Sequence, residues 1–179
     1  MDKKERQNQC TVDVTGTVPG HAPLIQNLMQ LYIHDFSEFW AGTPRGDLNA
    51  DGRFDPYPLD DYWSKTNWAA ALIWCERALA GFALINDVTH SGIAAHRNMG
   101  EFFILRKYRG RGVGRSAAEL IFSQHEGLWE VAVARKNTRA LEFWRRTIGS
   151  SRNASSIQEL DLQNPQWNGP ILRFEWSMM

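Results

Sequence analysis

The 179-residue sequence has only two cysteines, Cys10 and Cys75, which are far apart and form no CxxC pair. That spacing frames neither a zinc site nor a disulfide scaffold, so reduced thiols in a cytoplasmic protein are expected. No run approaches the ~18 apolar residues of a membrane span, so no membrane partner is expected. The polar start, "MDKKERQNQC", lacks the apolar core of a secretion signal. The five histidines show no HxxxH or other metal spacing, and no metal is expected. No Ser-His-Asp or Cys-His arrangement is recognisable, so a covalent enzyme intermediate is not expected. Neither GxGxxG nor GxxxxGK[ST] occurs, which removes the dinucleotide and P-loop fingerprints. Internal repeats, low-complexity tracts and long Pro/Gly/Ser linkers are also missing. Residues 1–179 therefore read as a single domain, long enough to bury about 70% of its unfolded surface.

What remains is an ordinary globular composition, 43% hydrophobic and 22% charged, with a formal net charge of zero. The charge is unevenly spread: residues 1–100 sum to −4 and residues 101–179 to +4. A general nucleic-acid binder is usually basic overall, so no nucleic-acid partner is expected. One reading of the asymmetry is an anionic ligand held by the second half and a cationic one by the first. The other is chance variation on a solvated surface.

Periodicity sets the elements. "CTVDVTGT" alternates as a strand, and Ile25, Leu28, Met29, Tyr32, Phe36, Phe39 and Trp40 lie on one helical stripe. Residues 42–57 are rich in Gly, Pro, Asp and Asn and read as a loop; "PLDDYWSK" reads as a short helix. "NWAAALIWCE" and "LAGFALINDV" form a hairpin, and "MGEFFIL" is a further strand. A helix to about His125 follows, then the apolar strand "LWEVAVA", a helix "TRALEFWRRTI" ending at Gly149, and two last strands. Strand, glycine turn, helix and strand between Gly100 and Ala134 make a βαβ unit with a right-handed crossover. The fold class is α/β: a mixed, mostly antiparallel sheet of about seven strands with four helices and a central βαβ unit.

The turn itself is "YRGRGVGRSAAELIF". A strand running through glycines into a helix N-terminus leaves free N–H groups and a positive dipole end, which together suit an anion. Arg109, Arg111 and Arg115 can add charge-assisted hydrogen bonds. A third glycine of the dinucleotide pattern would stand at position 115, which is Arg115. The actual spacing is Arg109-x-x-Gly112-x-Gly114.

That spacing resembles the acetyl-CoA pyrophosphate motif (Q/R-x-x-G-x-G/A) of the GNAT N-acetyltransferase superfamily. "WEVAVARKNTRALEFWRRTIG" is similar to the family segment in which a strand ends near an Asn and a helix with an aromatic pair follows. Asn137 matches the Asn, Phe143 and Trp144 the pair, and Gly149 the helix end. The resemblance covers about residues 67–149. "GEFFILRKYRGRGVG" is most like the polyamine and diamine acetyltransferases, which carry an acid where Glu101 stands.

The resemblance implies acetyl transfer from acetyl-CoA to a primary amine by direct attack through a tetrahedral intermediate. It implies that strands 99–105 and 128–134 splay apart around the pantetheine arm. The backbone from Phe103 to Leu105, chiefly the amides of Ile104 and Leu105, would bind the thioester carbonyl and its oxyanion. The turn Arg109, Gly110, Arg111, Gly112, Val113, Gly114, Arg115 would hold the pyrophosphate, and Phe143 would flank it. Asn137 would bond the pantetheine or cap its helix. An attacking ammonium must lose a proton, and a carboxylate in the cleft can take it. Glu101 is the first candidate base and Glu130 the second; either could instead be a structural acid paired with an arginine. Trp144 stands where many family members place a Tyr acid, and an indole N–H only donates. It could bond the sulfur or wall the pocket, and Tyr32 or Tyr62 could take the acid's place.

In this superfamily the acceptor site is built from segments that correspond to residues 32–68 and 164–169. Asp35, Glu38, Asp51, Asp55, Asp60 and Asp61, with Phe36, Trp40, Phe54, Tyr57, Tyr62 and Trp63, would suit a small cationic amine. Equally, the aromatics are core and the acids a solvated loop. The alternatives are a protein or peptide N-acetyltransferase and a non-catalytic acyl-CoA-binding module. Homodimers are common in the family, and the residues themselves do not address assembly.

Overall fold

The structure is a computed structural model that describes residues 10–178. The polar start read above lies outside the described residues, Cys10 apart. The chain runs β1 (Val12–Gly16), α1 (Ala22–Ser37), α2 (Asp61–Ser64), β2 (Ala69–Cys75), β3 (Ala78–Asn86), β4 (Arg97–Ile104), α3 (Val113–Gln124), β5 (Gly127–Ala132), α4 (Thr138–Gly149), β6 (Ala154–Gln163) and β7 (Asn168–Trp176). Seven strands and four α-helices agree with the periodicity. No helix among the described residues is long and apolar enough to cross a membrane.

One sheet holds every strand in the order β1-β2-β3-β4-β5-β7-β6, antiparallel except between β4 and β5. β3, β4 and β5 are apolar on both faces because helices cover both. On one face α1, α2 and the segment just before α2 bury Ile25, Met29, Tyr62 and Leu59 against Leu72, Phe82, Leu84 and Phe103. On the other, Ala118, Phe122, Trp144 and Ile148 of α3 and α4 pack on Met99, Trp129, Val131 and Phe174. The β2–β3 hairpin turns through Glu76 and Arg77, both left-handed (φ 51° and 65°), as a two-residue hairpin requires.

Two features position the site. First, β4 and β5 pair only at Arg97↔Trp129 and Asn98↔Glu130, after which they diverge. Second, β4 carries a bulge: Leu84 faces Glu101, while its neighbour Ile85 faces Met99, so Gly100 is the extra residue. In a regular strand Met99 and Glu101 would share a face. The bulge sends Met99 into the α3/α4 core and turns Glu101 toward α1 and the segment before α2.

One expectation is overturned. Cys10 and Cys75 are joined by a disulfide, and among the described residues no cysteine is free. The cause is register. Val12 pairs with Cys75 across β1 and β2, which brings residue 10 beside the end of β2, with 5.8 Å between the two cysteine Cα atoms. Reduced thiols therefore no longer argue for a reducing compartment.

Candidate active site

The glycine turn enters α3 as its sequence requires. Gly110 and Gly112 take φ 72° and 80°, the left-handed region that glycine adopts without a Cβ clash. Gly112 caps α3, and Ser116 is the first amide of the helix to reach a carbonyl, that of Gly112 at 3.0 Å. The amides of Arg111 to Arg115 are left for an anion at the dipole's positive end. Gly114 has a packing duty as well, since a Cβ there would lie 3.3 Å from the Phe143 ring. This donor set fits a diphosphate. Gly112→Ala is expected to weaken CoA binding by about 5-fold, as ~1 kcal/mol of left-handed strain shifts the turn. Calorimetric titration with CoA checks it, and an unchanged Kd would count against the turn as the binding site.

The arginines divide differently from the expectation. Arg109 points back into the protein, its Nε donating to Ile104 O at 2.7 Å and its Nη2 pairing with Asp35 at 2.5 Å. It ties the turn to α1 instead of reaching outward. Burial pushes the Asp35 carboxyl up, but Arg106 and Arg109 outweigh this and hold it below the usual range. Arg115 pairs with Glu119 one helical turn on. Among the described residues Arg111 has no ion-pair partner.

Where β4 leaves β5, its amides separate into two rows. Leu105 N–H donates to Ala80 O across the antiparallel β3 pairing (2.8 Å), so Leu105 is not available to a thioester carbonyl. Alternation then turns the Phe102 and Ile104 amides to the opposite edge, into the gap that β5 has vacated. The Ile104 amide, expected to meet a thioester, thus faces this gap, and so does that of Phe102. Phe103 points its ring into the α1-side core, 5.5 Å below the Arg109 guanidinium.

Asn137 caps α4, accepting from Ala140 N–H at 3.1 Å. It also lines a cavity of about 330 Å³ with Glu38, Phe39 and Lys136, and Lys136 Nζ donates to Phe39 O across it. Trp144 is only 5% exposed, packed against Phe102, Phe122 and Phe143. It is a core wall.

The two candidate carboxylates have different surroundings. Glu130 is fully buried. Its Oε1 accepts from His90 N–H (2.5 Å) and Ser91 N–H (3.2 Å), and its Oε2 from the Ser91 hydroxyl (2.5 Å) and Arg173 Nη1 (2.8 Å). With every lone pair engaged, it is a structural acid, as one of the two readings allowed. Arg173, which sequence reasoning missed, also donates to Ile93 O and Ala94 O and so seats the β3–β4 loop. His90 in that loop stacks on Trp167, 4.3 Å between centroids, and burial lowers its pKa.

Glu101 faces hydroxyls. Tyr57 OH donates to its Oε1 at 3.1 Å, and Tyr32 reaches it from α1. Burial pushes its pKa up, and the bonds from Tyr32 and Tyr57 and the charge of Arg45 counter that only in part. Burial and the nearby Glu101 charge push the Tyr32 and Tyr57 phenols up, so they stay protonated donors. Tyr57 comes from a loop, and two glutamines of α1 hold it. Gln26 takes both the N–H and the C=O of Tyr57, and Gln30 does the same for Phe54. From Tyr32 an aromatic ladder continues along α1 through Phe36 to Trp40, capped by Arg45 at 4.3 Å.

The acids expected near an acceptor are mostly spent locally: Asp35 on two arginines, Asp51 on Arg53 N–H, Asp55 on Asn49 and Asp61 on Lys65. Trp63 donates to Thr17. Tyr32, Tyr57 and Tyr62 are the residues of that segment that gather around the carboxylate.

Sequence comparison matches the acetyltransferase (GNAT) family over residues 25–149. The chain belongs to the GNAT acetyltransferase family. No curated protein sequence matches it significantly. Solved GNAT structures share its fold. The ribosomal-protein-S18-alanine N-acetyltransferase from Escherichia coli aligns with TM-score 0.54 at 13% identity, covering 94% of this chain and 96% of that one. A spermidine N-acetyltransferase SpeG chimera from Vibrio cholerae and hSSAT aligns with 0.52 at 11%, covering 91% and 93%. The Salmonella typhimurium protein yncA, solved with its cofactor acetyl-CoA, aligns with 0.51 at 10%, covering 92% and 91%. Protein and polyamine enzymes alike share this GNAT fold, so the short likeness to the polyamine group is not singled out.

Proposed function

We propose that this GNAT protein is an acetyl-CoA-dependent N-acetyltransferase that acetylates a primary amine of a small, cationic molecule by direct attack. The observation that carries the reading is the pairing of two free strand amides, Phe102 and Ile104, with Glu101, which precedes them on the same strand. Acetyl-CoA supplies an activated acyl group as co-substrate. The turn amides from Arg111 to Arg115, with the Arg111 side chain, hold its pyrophosphate. The pantetheine arm lies along the β4–β5 gap, and the Phe102 and Ile104 amides take up charge on the thioester oxygen. Glu101 accepts the amine's proton. Tyr32, Tyr57 and the α1 ladder offer an aromatic wall to an ammonium.

Trp144 supplies no acid. A thiolate whose parent thiol has a pKa near ~8.5 leaves unaided, or takes the proton that Glu101 has collected. The test is a thiol-release screen with acetyl-CoA across diamines, aminoglycosides, amino acids and peptides. Turnover on free amines but not peptides is the expected result. Turnover on peptides alone moves the acceptor to proteins, and thermal stabilisation by acetyl-CoA without turnover on any amine makes this an acyl-CoA-binding module.

A further inference from the structure

Tyr57 stands between two prolines, in the run Asp55-Pro56-Tyr57-Pro58. Proline lacks an N–H and biases the residue before it toward extended backbone. From Pro56 to Pro58 the one N–H donor is therefore that of Tyr57, and residues 53–59 form neither helix nor strand. Such a segment has no sheet ladder, yet its backbone groups still need partners. Two side chains of α1 supply them. Gln26 Oε1 accepts from Tyr57 N–H at 3.1 Å, and its Nε2 donates to Tyr57 O at 2.5 Å. Gln30, one helical turn on, accepts from Phe54 N–H at 2.8 Å and donates to Phe54 O at 3.2 Å. Each amide exchanges both bonds with one residue, as a residue of a neighbouring antiparallel strand would. A backbone N–H can only donate, so neither glutamine can be turned over. These bonds hold the segment more than packing does. Arg53, Asp55, Pro56 and Pro58 are exposed, and of residues 53–58 only Tyr57 packs against the α1-side core. A cavity of about 260 Å³ opens beside the clamp, lined in part by Gln26, Gln30, Phe54 and Pro56.

The clamped residue ends in the hydroxyl that donates to Glu101 Oε1 at 3.1 Å. We propose that Gln26 and Gln30 are positioning residues for Glu101: they fix the backbone of Tyr57 so that its hydroxyl meets and orients the carboxylate. Gln26 acts on Tyr57 directly, and Gln30 anchors the other end of the same segment at Phe54. The side chain has to be an amide. A carboxylate in its place would set an oxygen against the Tyr57 carbonyl, and a lysine could not accept from the Tyr57 N–H. An amide also does not titrate, so the hold is the same at every pH at which an amine reacts. Glu101 is thus aimed from two sides, by the Gly100 bulge on its own strand and by α1 through the loop. The other groups facing it are Tyr32 from α1, Arg45 from the α1–α2 loop and Tyr62 from α2.

The proposal rests on Glu101 as the base, and its test does not need turnover. The Glu101 carboxyl is titrated by carbon NMR on glutamate-labelled protein, its signal assigned by its loss in Glu101→Gln. Gln26→Met keeps the side chain's length and helix preference but removes both bonds. It is expected to raise the midpoint by about half a pH unit, because the charged form loses its Tyr57 donor. Tyr57→Phe raises it by at least as much, and Gln30→Met by less. Because Gln26 acts through Tyr57, Gln26→Met adds nothing to the midpoint once Tyr57→Phe is present. Where an amine substrate is found, Gln26→Met lowers kcat by about 10-fold with CoA affinity unchanged. A midpoint that stays put in folded Gln26→Met overturns the proposal, even if its Tm falls, since a merely structural role would lower Tm only. Shifts that add in the double variant overturn it too. Should Gln26→Met not fold, an unmoved midpoint in Gln30→Met overturns it equally. If Glu101→Gln keeps full kcat while the midpoints move as expected, the clamp stands and the base assignment is what fails.

Discussion

Glu101→Gln is expected to lower kcat by about 10²- to 10⁴-fold while leaving CoA affinity unchanged. Glutamine keeps the shape and still accepts from Tyr57, so the pocket survives, but an amide cannot take an ammonium proton. The contacts proposed for CoA lie on the other edge of β4 and on the α3 turn, outside the reach of the substitution. The pH profile sharpens the expectation. Burial raises the Glu101 pKa, so kcat/KM climbs with pH through a value above the ordinary carboxylate range. That limb disappears in the variant. Stability should move the opposite way. A carboxyl whose folded pKa is raised favours the fold below its unfolded pKa and loses that contribution as pH rises through the folded pKa. At neutral pH, Glu101→Gln should therefore melt above the wild type. An unaffected kcat would place the base elsewhere or make it water.

Loss of Arg173 is the second large effect expected. Arg173→Leu leaves Glu130 as an uncompensated charge at 0% exposure, and breaking a buried pair costs about 3–5 kcal/mol. For a chain of this size that is a Tm drop of roughly 10 °C. Glu130→Leu together with Arg173→Leu should recover much of it, because two apolar side chains need no partner. Calorimetry of the three variants checks this. A double variant no more stable than Arg173→Leu would show that the guanidinium's grip on Ile93 O and Ala94 O matters more than its charge.

These two acids show how far one-dimensional reading reaches. The glycine turn, the βαβ unit and the acid at 101 are local patterns, and each is present in the structure. Glu130 stood as a second candidate beside Glu101 because both interrupt apolar strands. What separates them is Arg173, more than forty residues further on, and no spacing rule connects the two. Arg109 was misdirected for the same reason: Asp35, its partner, lies on a helix that comes much earlier. The Leu105 amide depended on which residues of β4 hydrogen-bond to β3, a parity that the bulge and register set. Gly100 was the one missed cue within reach, since a lone glycine inside a strand pattern often marks a bulge. Gln26 and Gln30 gave no signal, because a glutamine beside an apolar helical stripe reads as part of the solvated face.

The Cys10–Cys75 bond divides the chain into unequal parts. The ring it closes, its cysteines 65 positions apart, contains β1, α1, the loop, α2 and β2, and so Tyr32, Tyr57 and Tyr62 all lie inside it. The glycine turn, Glu101 and the splayed strands lie outside. In the denatured chain the ring keeps the proposed acceptor-side wall tethered to itself, which removes about 4 kcal/mol of chain entropy from that state in the loop-closure picture. The cofactor half, with its local strand-turn-helix contacts, has no such aid and less need of one. Reduction should thus loosen the amine side of the molecule first, with CoA binding the last property to be lost.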